Sequence, residues 1–210
     1  MEELNFDVVV VGGGPAGSSA AHMAAKNGCT VALIEKEKEI AETVRTSGVT
    51  WISDINEFGI PKDCYNPIKK FSFCSPKNYV TIADDIAKAA VLDVRKTYRF
   101  LATRAKSSGS ELFTGTNVSE VLKDSSGKCV GVVAKSQGKL IQFNAKVVID
   151  ASGFTSIVAK ELGYVTQWKK FGAGAEFEVK TEKLEYDNWW LMVGQKYSPA
   201  GYAWIFPTSK

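Results

Sequence analysis

The sequence predicts an α/β fold in which one domain is built on a β-α-β unit and a second domain is mostly antiparallel β. Three observations predict it. A β-branched run, Val8-Val9-Val10-Val11, meets three consecutive glycines and then an alanine-rich stretch at residues 18–27. That is the pattern of a buried parallel strand feeding a helix. A second apolar run at residues 29–34 ends on Glu35 and closes the unit in about 30 residues. After Gly172 the composition turns aromatic and strand-like, with Phe177, Trp189, Trp190, Tyr197, Tyr202, Trp204 and Phe206.

Further elements follow in order. Gly28 ends the first helix. Residues 36–60 read as a loop and then a helix around Trp51-Ile52-Ser53-Asp54-Ile55. Residues 71–76 and 78–82 read as two short antiparallel strands joined by a Pro-Lys-Asn turn. Residues 93–108 read as a helix, with Leu92, Phe100, Leu101 and Ala105 among its apolar positions and Gly109 as its C-cap. Glu111-Leu112-Phe113 and Thr116-Asn117-Val118 give a strand. Residues 118–122, 130–135 and 140–143 then form a small meander, turning at Ser125-Ser126-Gly127 and Gln137-Gly138. Residues 146–153 read as another buried strand running into glycine, with a short helix at 156–162. The expected division places residues 1–65 and 93–165 in the first domain, and 66–92 and 166–210 in an incomplete second one.

Composition excludes several classes. At 210 residues the chain is about 1.4 domains long by the usual length prior. A chain 45% hydrophobic and 23% charged is neither disordered nor a disulfide-stapled mini-protein. Its 26 basic and 23 acidic residues leave a net charge of +3 with no long basic run, which argues against a nucleic-acid binder. Cys29, Cys64, Cys74 and Cys129 are widely spaced, and His22 is the only histidine, so no metal site is expected and the thiols read as reduced. His22 itself falls mid-helix and reads as structural. The apolar run at the N-terminus is far below the roughly 18 residues that a membrane span needs. Met1-Glu2-Glu3 lacks the basic start of a signal peptide. The expected location is the cytoplasm, with peripheral contact at the inner face of the membrane left open, since that needs only an apolar surface.

The chemistry-bearing motif lies between the first strand and the first helix. Gly12, Gly14 and Gly17 make G-x-G-x-x-G. The first permits the tight turn, the second lets a pyrophosphate approach the backbone, and the third lets helix and strand pack closely. The helix N-terminus adds free N–H groups and a positive dipole end. Glu35 follows Gly14 by 21 residues, where a carboxylate can accept both ribose hydroxyl hydrogen bonds. Together these predict a Rossmann-like FAD/NAD(P)-binding domain. The strand end at residues 146–153 would complete its cleft.

Four passages then resemble the geranylgeranyl reductase family, within the flavoproteins that share the p-hydroxybenzoate hydroxylase fold. They are the Gly12–Glu35 unit; Glu35-Lys36 with Glu39-Ile40 and Val44-Arg45; the strand at 146–156 leading into Ala151-Ser152-Gly153; and Pro199-Ala200-Gly201-Tyr202-Ala203-Trp204-Ile205-Phe206-Pro207. The last, similar to the family's P-x-G-Y-x-W-x-F-P, is the most discriminating. The resemblance implies FAD and the reduction of isolated C=C bonds in isoprenoid chains, which in archaeal members are the geranylgeranyl chains of membrane lipids. It further implies an external electron donor, reduced ferredoxin or NAD(P)H.

By the same resemblance the phosphate turn falls on Gly12, Gly14, Pro15, Ala16 and Gly17, the ribose contact on Glu35 beside Lys36, and the adenine contact on Val118. The loop over the flavin falls on Arg45, Thr46, Ser47 and Gly48, with Ala151 and Gly153 at the facing strand end. This chain departs from the family at three points. Thr46 stands where archaeal members have cysteine, and Ser152 where they have the aspartate of A-D-G. Val94 stands at the position of a family arginine, with Arg95 one residue late and kept as a cofactor contact. The family also runs to roughly twice this length, and its later G-D motif has no counterpart before Lys210. The chain therefore reads as an N-terminal portion of a longer flavoenzyme, a fragment or a truncated product.

An isoprenoid offers no charge near its distal double bonds, so its site must be apolar. Tyr202, Trp204 and Phe206 alternate along a strand and share one face, with Pro207 after them. That face suits a substrate wall and suits a sheet core; the sequence leaves both open. No proton donor is identifiable beyond Tyr202, whose hydroxyl can donate. An FAD monooxygenase or halogenase shares the first and third passages, and a non-catalytic remnant of such a flavoprotein stands as a further alternative.

Overall fold

The computed structural model describes residues 1–164 and 171–208. Its strands, in chain order, begin with β1 (Glu2–Val11), β2 (Val31–Ile34), β3 (Val49–Trp51), β4 (Tyr65–Ile68), β5 (Lys70–Cys74), β6 (Tyr79–Ala83) and β7 (Ala89–Leu92). They continue with β8 (Glu111–Phe113), β9 (Thr116–Lys123), β10 (Cys129–Ser136), β11 (Lys139–Asp150), β12 (Asn188–Val193) and β13 (Tyr202–Ile205). The α-helices are α1 (Pro15–Lys26), α2 (Ile52–Phe58), α3 (Val94–Ser107) and α4 (Ile157–Glu161). The chain divides into two compact units, residues 1–44 with 98–172, and residues 45–97 with 173–210.

The first unit is a six-stranded sheet in the order β8-β2-β1-β11-β10-β9. β1 is flanked by parallel partners, β2 and β11, while β10 pairs antiparallel with β11 and β9. The unbroken valine run of β1 has a simple cause. Val8 and Val10 face one way, into a core with Ala21, Ala25, Val31, Leu33 and Ala105. Val9 and Val11 face the other way, into a core with Ala32, Ile34, Val132 and Phe143. Both faces are covered, so there is no polar position to alternate with.

One expectation changes here. Residues 140–143 and 146–153, read as separate strands, are joined in the single twelve-residue β11, which takes in the first and ends the second at Asp150. Its residues 139–144 pair with β10 and its residues 141–150 with β1. Nor is its second half fully buried, since Val147 is 52% exposed. Val147 lies opposite Val8, on the side where α1 packs over β1 and β2; the β11 residue packed against that core is Ile149 rather than Val147.

The second unit holds two sheets, β13-β12-β5-β6 and β3-β7-β4. The smaller is wholly antiparallel; the larger has one parallel pair, β12 with β5. Residues 45–65 fall in this unit, whereas the sequence reading kept them with the first. The reason is strand pairing: β3 and β4 both hydrogen-bond to β7. The expected boundary at residues 165 and 166 lies outside the described residues. The two short strands expected around Pro76-Lys77-Asn78 are β5 and β6, paired antiparallel with Cys74 opposite Tyr79.

Candidate functional site

Three strand ends meet at one edge of the first sheet. The Gly12 amide donates to the Ile34 carbonyl at 2.8 Å, and the Ala151 amide donates to the Val11 carbonyl at 2.8 Å. Gly12 has φ +108°, and a Cβ there would collide with the Ala151 carbonyl. A Cβ on Gly17 would collide in turn with the Gly12 carbonyl oxygen. Strand, turn and helix are thus drawn together as the motif's first and third glycines require. Gly14 behaves differently. It is the N-cap of α1, ahead of Pro15, and beyond its chain neighbours and its own helix's backbone nothing lies within 4 Å of where its Cβ would sit. Beside it the amides of Ala16 and Gly17 open a twelve-residue helix that has no acid in its first turn. Those amides have no carbonyl one turn earlier to bind, so they and the dipole favour an anion.

Glu35 is held by its own neighbours. Oε2 accepts from the Gly13 amide at 2.8 Å, and Oε1 accepts from the Glu37 amide at 2.9 Å. Its main chain bridges two further strands, donating to Phe113 and accepting from Thr116. Each carboxylate oxygen retains a lone pair for a hydroxyl donor. Lys36 beside it is exposed. The Thr116 contact brings the start of β9 to Glu35, two residues before Val118. The Val118 side chain is buried with Val9, Val11 and Phe143, so at this edge strand only its main chain is available to a ligand.

Sequence reasoning missed Asp150. At the C-terminal end of β11, its Oδ1 accepts from the Ser152 amide (3.1 Å) and hydroxyl (2.6 Å), and its Oδ2 from the Ala159 amide at 2.8 Å. Partial burial would raise this carboxyl, but the hydrogen bonds from Ser152, Ala159 and Val158 outweigh it and hold the group below the usual carboxylate range. Asp150 therefore fixes the turn through Ala151 and Gly153 against the phosphate turn. Its signal was an acid ending an apolar strand just before a Ser-Gly pair. The backbone donor at Gly13 was missed too, because main-chain groups leave no mark in a residue pattern.

The remaining expected residues lie in the second unit. Arg45 and Thr46 are exposed, Ser47 half-buried and Gly48 buried. Gly48 accepts from the Leu92 amide at 2.9 Å, and a Cβ on it would stand 2.8 Å from both the Leu92 carbonyl oxygen and Val94 Cγ2. Val94 is accordingly buried, and Arg95, next along α3, is exposed. Tyr202, Trp204 and Phe206 share one face as expected, with ring centroids 5.8 and 6.1 Å apart in succession. Phe206 packs on Trp189 at 5.5 Å, and the carbonyl of the buried Pro207 accepts from Asn66. Phe206 and Pro207 are thus anchored in the unit, while Tyr202 is 55% exposed.

His22 is bound to structure, with Nδ1 2.7 Å from Ser108 Oγ. Burial, with Arg104 and Lys26 nearby, pushes its pKa below the ordinary value. All four cysteines are free, and among the described residues no cluster of His, Cys, Asp or Glu could hold a metal. No helix among the described residues is long and apolar enough to cross a membrane.

Comparison with known proteins adds to this geometry. Residues 7–181 match the family model of FAD dependent oxidoreductases. A digeranylgeranylglycerophospholipid reductase of Methanocaldococcus jannaschii is 36% identical over 99% of this chain and 54% of its own length. One from Methanocella arvoryzae is 33% identical over 96% of this chain and 53% of its own. The crystal structure of a geranylgeranyl bacteriochlorophyll reductase-like protein from Thermoplasma acidophilum superimposes with a TM-score of 0.82 at 27% identity, covering 99% of this chain and 54% of that one. The flavin-dependent brominase Bmp2 superimposes with a TM-score of 0.64 at 26% identity, covering 77% of this chain and 41% of its own. This chain spans about half the length of the curated relatives it matches.

Proposed function

The chain belongs to the FAD dependent oxidoreductase family, and from that premise we propose that it holds FAD for the reduction of C=C bonds in geranylgeranyl or related isoprenoid chains of membrane-lipid precursors. The observation that carries the reading is the open backbone beside Gly14 on the same sheet edge as a fixed Glu35 carboxylate. It is a cradle that a single Cβ would begin to fill, lined by helix-end donors for a pyrophosphate and an acceptor pair for a ribose.

In this reading Gly12, Gly14, Pro15, Ala16 and Gly17 form the phosphate turn, and Glu35 accepts from the ribose hydroxyls, with Lys36 at the rim. The Val118 main chain meets the adenine, and Ala151 and Gly153 border the turn under the control of Asp150. Arg45, Thr46, Ser47, Gly48 and Arg95 are proposed as cofactor contacts on the family resemblance. Bound FAD supplies hydride chemistry. The protein's share is to seat an uncharged chain and exclude water, for which Tyr202 and Trp204 present an aromatic surface. Tyr202, an exposed residue with a hydroxyl that can donate, is the proposed proton donor. The electron donor is proposed to be reduced ferredoxin or NAD(P)H, and access to a lipid substrate to involve peripheral contact with a cytoplasmic membrane face.

Anaerobic incubation of the FAD-loaded protein with a geranylgeranyl lipid and reductant tests the reading. Saturation of double bonds is expected. Consumption of NADPH with oxygen incorporation, and no alkene reduction, would instead mark a monooxygenase.

A further inference from the structure

β6 is an open strand edge at the end of the β13-β12-β5-β6 sheet, and β5 is its only strand partner among the described residues. All five of its residues, Tyr79-Val80-Thr81-Ile82-Ala83, are exposed. The Ser75 amide donates to the Asn78 carbonyl at 2.8 Å, and the Asp84 amide to the Lys69 carbonyl at 3.0 Å. Both pairs continue the register that sets Phe73 opposite Val80 and Phe71 opposite Ile82. Antiparallel pairs alternate between bonded and non-bonded. Val80 and Ile82 therefore bond to β5, while Tyr79, Thr81 and Ala83 turn their N–H and C=O groups outward. Such an edge is a template for another strand unless something blunts it. In the first unit the edges are blunted: β8 has three residues and begins on Glu111, and at β9 the Glu161 carboxylate takes the Val121 amide at 3.1 Å. β6 carries no charge, no proline and no register shift against β5.

We propose that β6 pairs antiparallel with β6 of a second copy of this chain, about a two-fold axis at Thr81, so that the two sheets join edge to edge. The strand's own sequence selects this occupant. With Thr81 opposite the partner's Thr81, the outward-facing residues meet one another. Tyr79 then meets the partner's Ala83, and each such pair exchanges both N–H···O=C bonds. Val80 meets the partner's Ile82, two β-branched side chains at the closer, non-hydrogen-bonded spacing. In the turns that flank the strand, Lys77 comes opposite the partner's Asp85, and Asn78 opposite the partner's Asp84. The two-fold repeats each match, so opposite charges meet at both ends. A slip of two residues either way would set Lys77 opposite Ala83 or Ala87 instead. Charge and hydrogen bonding thus select one register. The contact is isologous and uses up the β6 edge of both copies, so it closes at a dimer. It is independent of the function proposed above.

The test is sedimentation equilibrium of the full chain across a range of concentrations at low salt, where exposed charges are least screened. The wild type should show a reversible monomer–dimer equilibrium. Thr81→Pro takes away an outward N–H that β5 does not use, a change an edge strand tolerates, and should leave only monomer. Lys77→Glu and Asp85→Lys each set like charges together at both ends and should weaken the dimer about 10-fold. The double variant exchanges the two charges and should restore wild-type affinity. Both charge positions lie in exposed turns, so these variants decide the matter if far-UV circular dichroism shows that Thr81→Pro does not fold. A wild type that stays monomeric at every concentration, or oligomers that grow beyond two copies, would overturn the pairing. So would a dimer that folded Thr81→Pro and both single charge variants leave intact, since the contact would then lie elsewhere on the chain.

Discussion

Replacing Glu35 by alanine removes two kinds of interaction at once, and the structure separates them. Within the protein, the carboxylate accepts from Gly13 at 2.8 Å and from Glu37 at 2.9 Å. The Gly13 donor is buried and the Glu37 donor half-buried, so leaving both without this acceptor should cost about 1–3 kcal/mol of stability. Toward FAD, the same oxygens are proposed to accept two ribose hydroxyls, charge-assisted bonds together worth about 2–4 kcal/mol, or roughly 30- to 700-fold in affinity. Glu35→Gln keeps one acceptor oxygen and should fall between. Titration of FAD into each variant, followed by flavin fluorescence, reads the second effect; thermal melting without FAD reads the first. A lowered melting temperature with unchanged FAD affinity would show that Glu35 only staples its turn, and the ribose assignment would be refuted.

Gly14→Ala should leave melting unchanged, because its Cβ meets open space, yet weaken FAD at least 10-fold. Gly17→Ala should destabilise the fold by about 1–3 kcal/mol through its clash with Gly12, as read in a urea melt. Trp204→Ala should cut prenyl reduction on the order of 100-fold by misplacing the double bond while sparing FAD content; a large stability loss with full activity in the folded fraction would make Trp204 core. The Lys146 ammonium, with Thr30, holds the Asp7 carboxyl down at about 2 against an ordinary 3.8. A depressed folded pKa stabilises above the unfolded value, so this contribution is complete above pH 3.8 and disappears as pH falls toward 2. Acid titrations of wild type and Lys146→Ala should therefore converge at the acid end, and parallel curves throughout would contradict the pairing.

The β-α-β unit was legible because each of its parts is a local rule. Alternate valines feeding two cores give an unbroken run, and glycines that cannot bear a Cβ mark the close approaches at Gly12 and Gly17. Glu35 was legible by distance from the turn, but its clamping by Gly13 and Glu37 was not, because backbone donors have no residue identity. The unity of β11 was hidden for a related reason. Asn144 and Ala145 interrupt its apolar pattern, yet they sit mid-strand opposite Asn5 and Phe6, and only the long-range pairing shows that the chain does not turn there. The placement of residues 45–65 likewise depended on β7, some 40 positions downstream of β3. The common face of Tyr202, Trp204 and Phe206 followed from period-two alternation. That β6 is left as an edge needed the pairing between strands, which periodicity within one strand cannot supply.

The most direct measurement is the mass of a geranylgeranyl lipid after anaerobic incubation with the FAD-loaded protein and a chemical reductant. The account predicts stepwise gain of two hydrogens per double bond, dependent on FAD and lost in Glu35→Ala at limiting FAD. An unchanged lipid mass with flavin fully bound and reduced, or a gain of oxygen on admission of air, would contradict it.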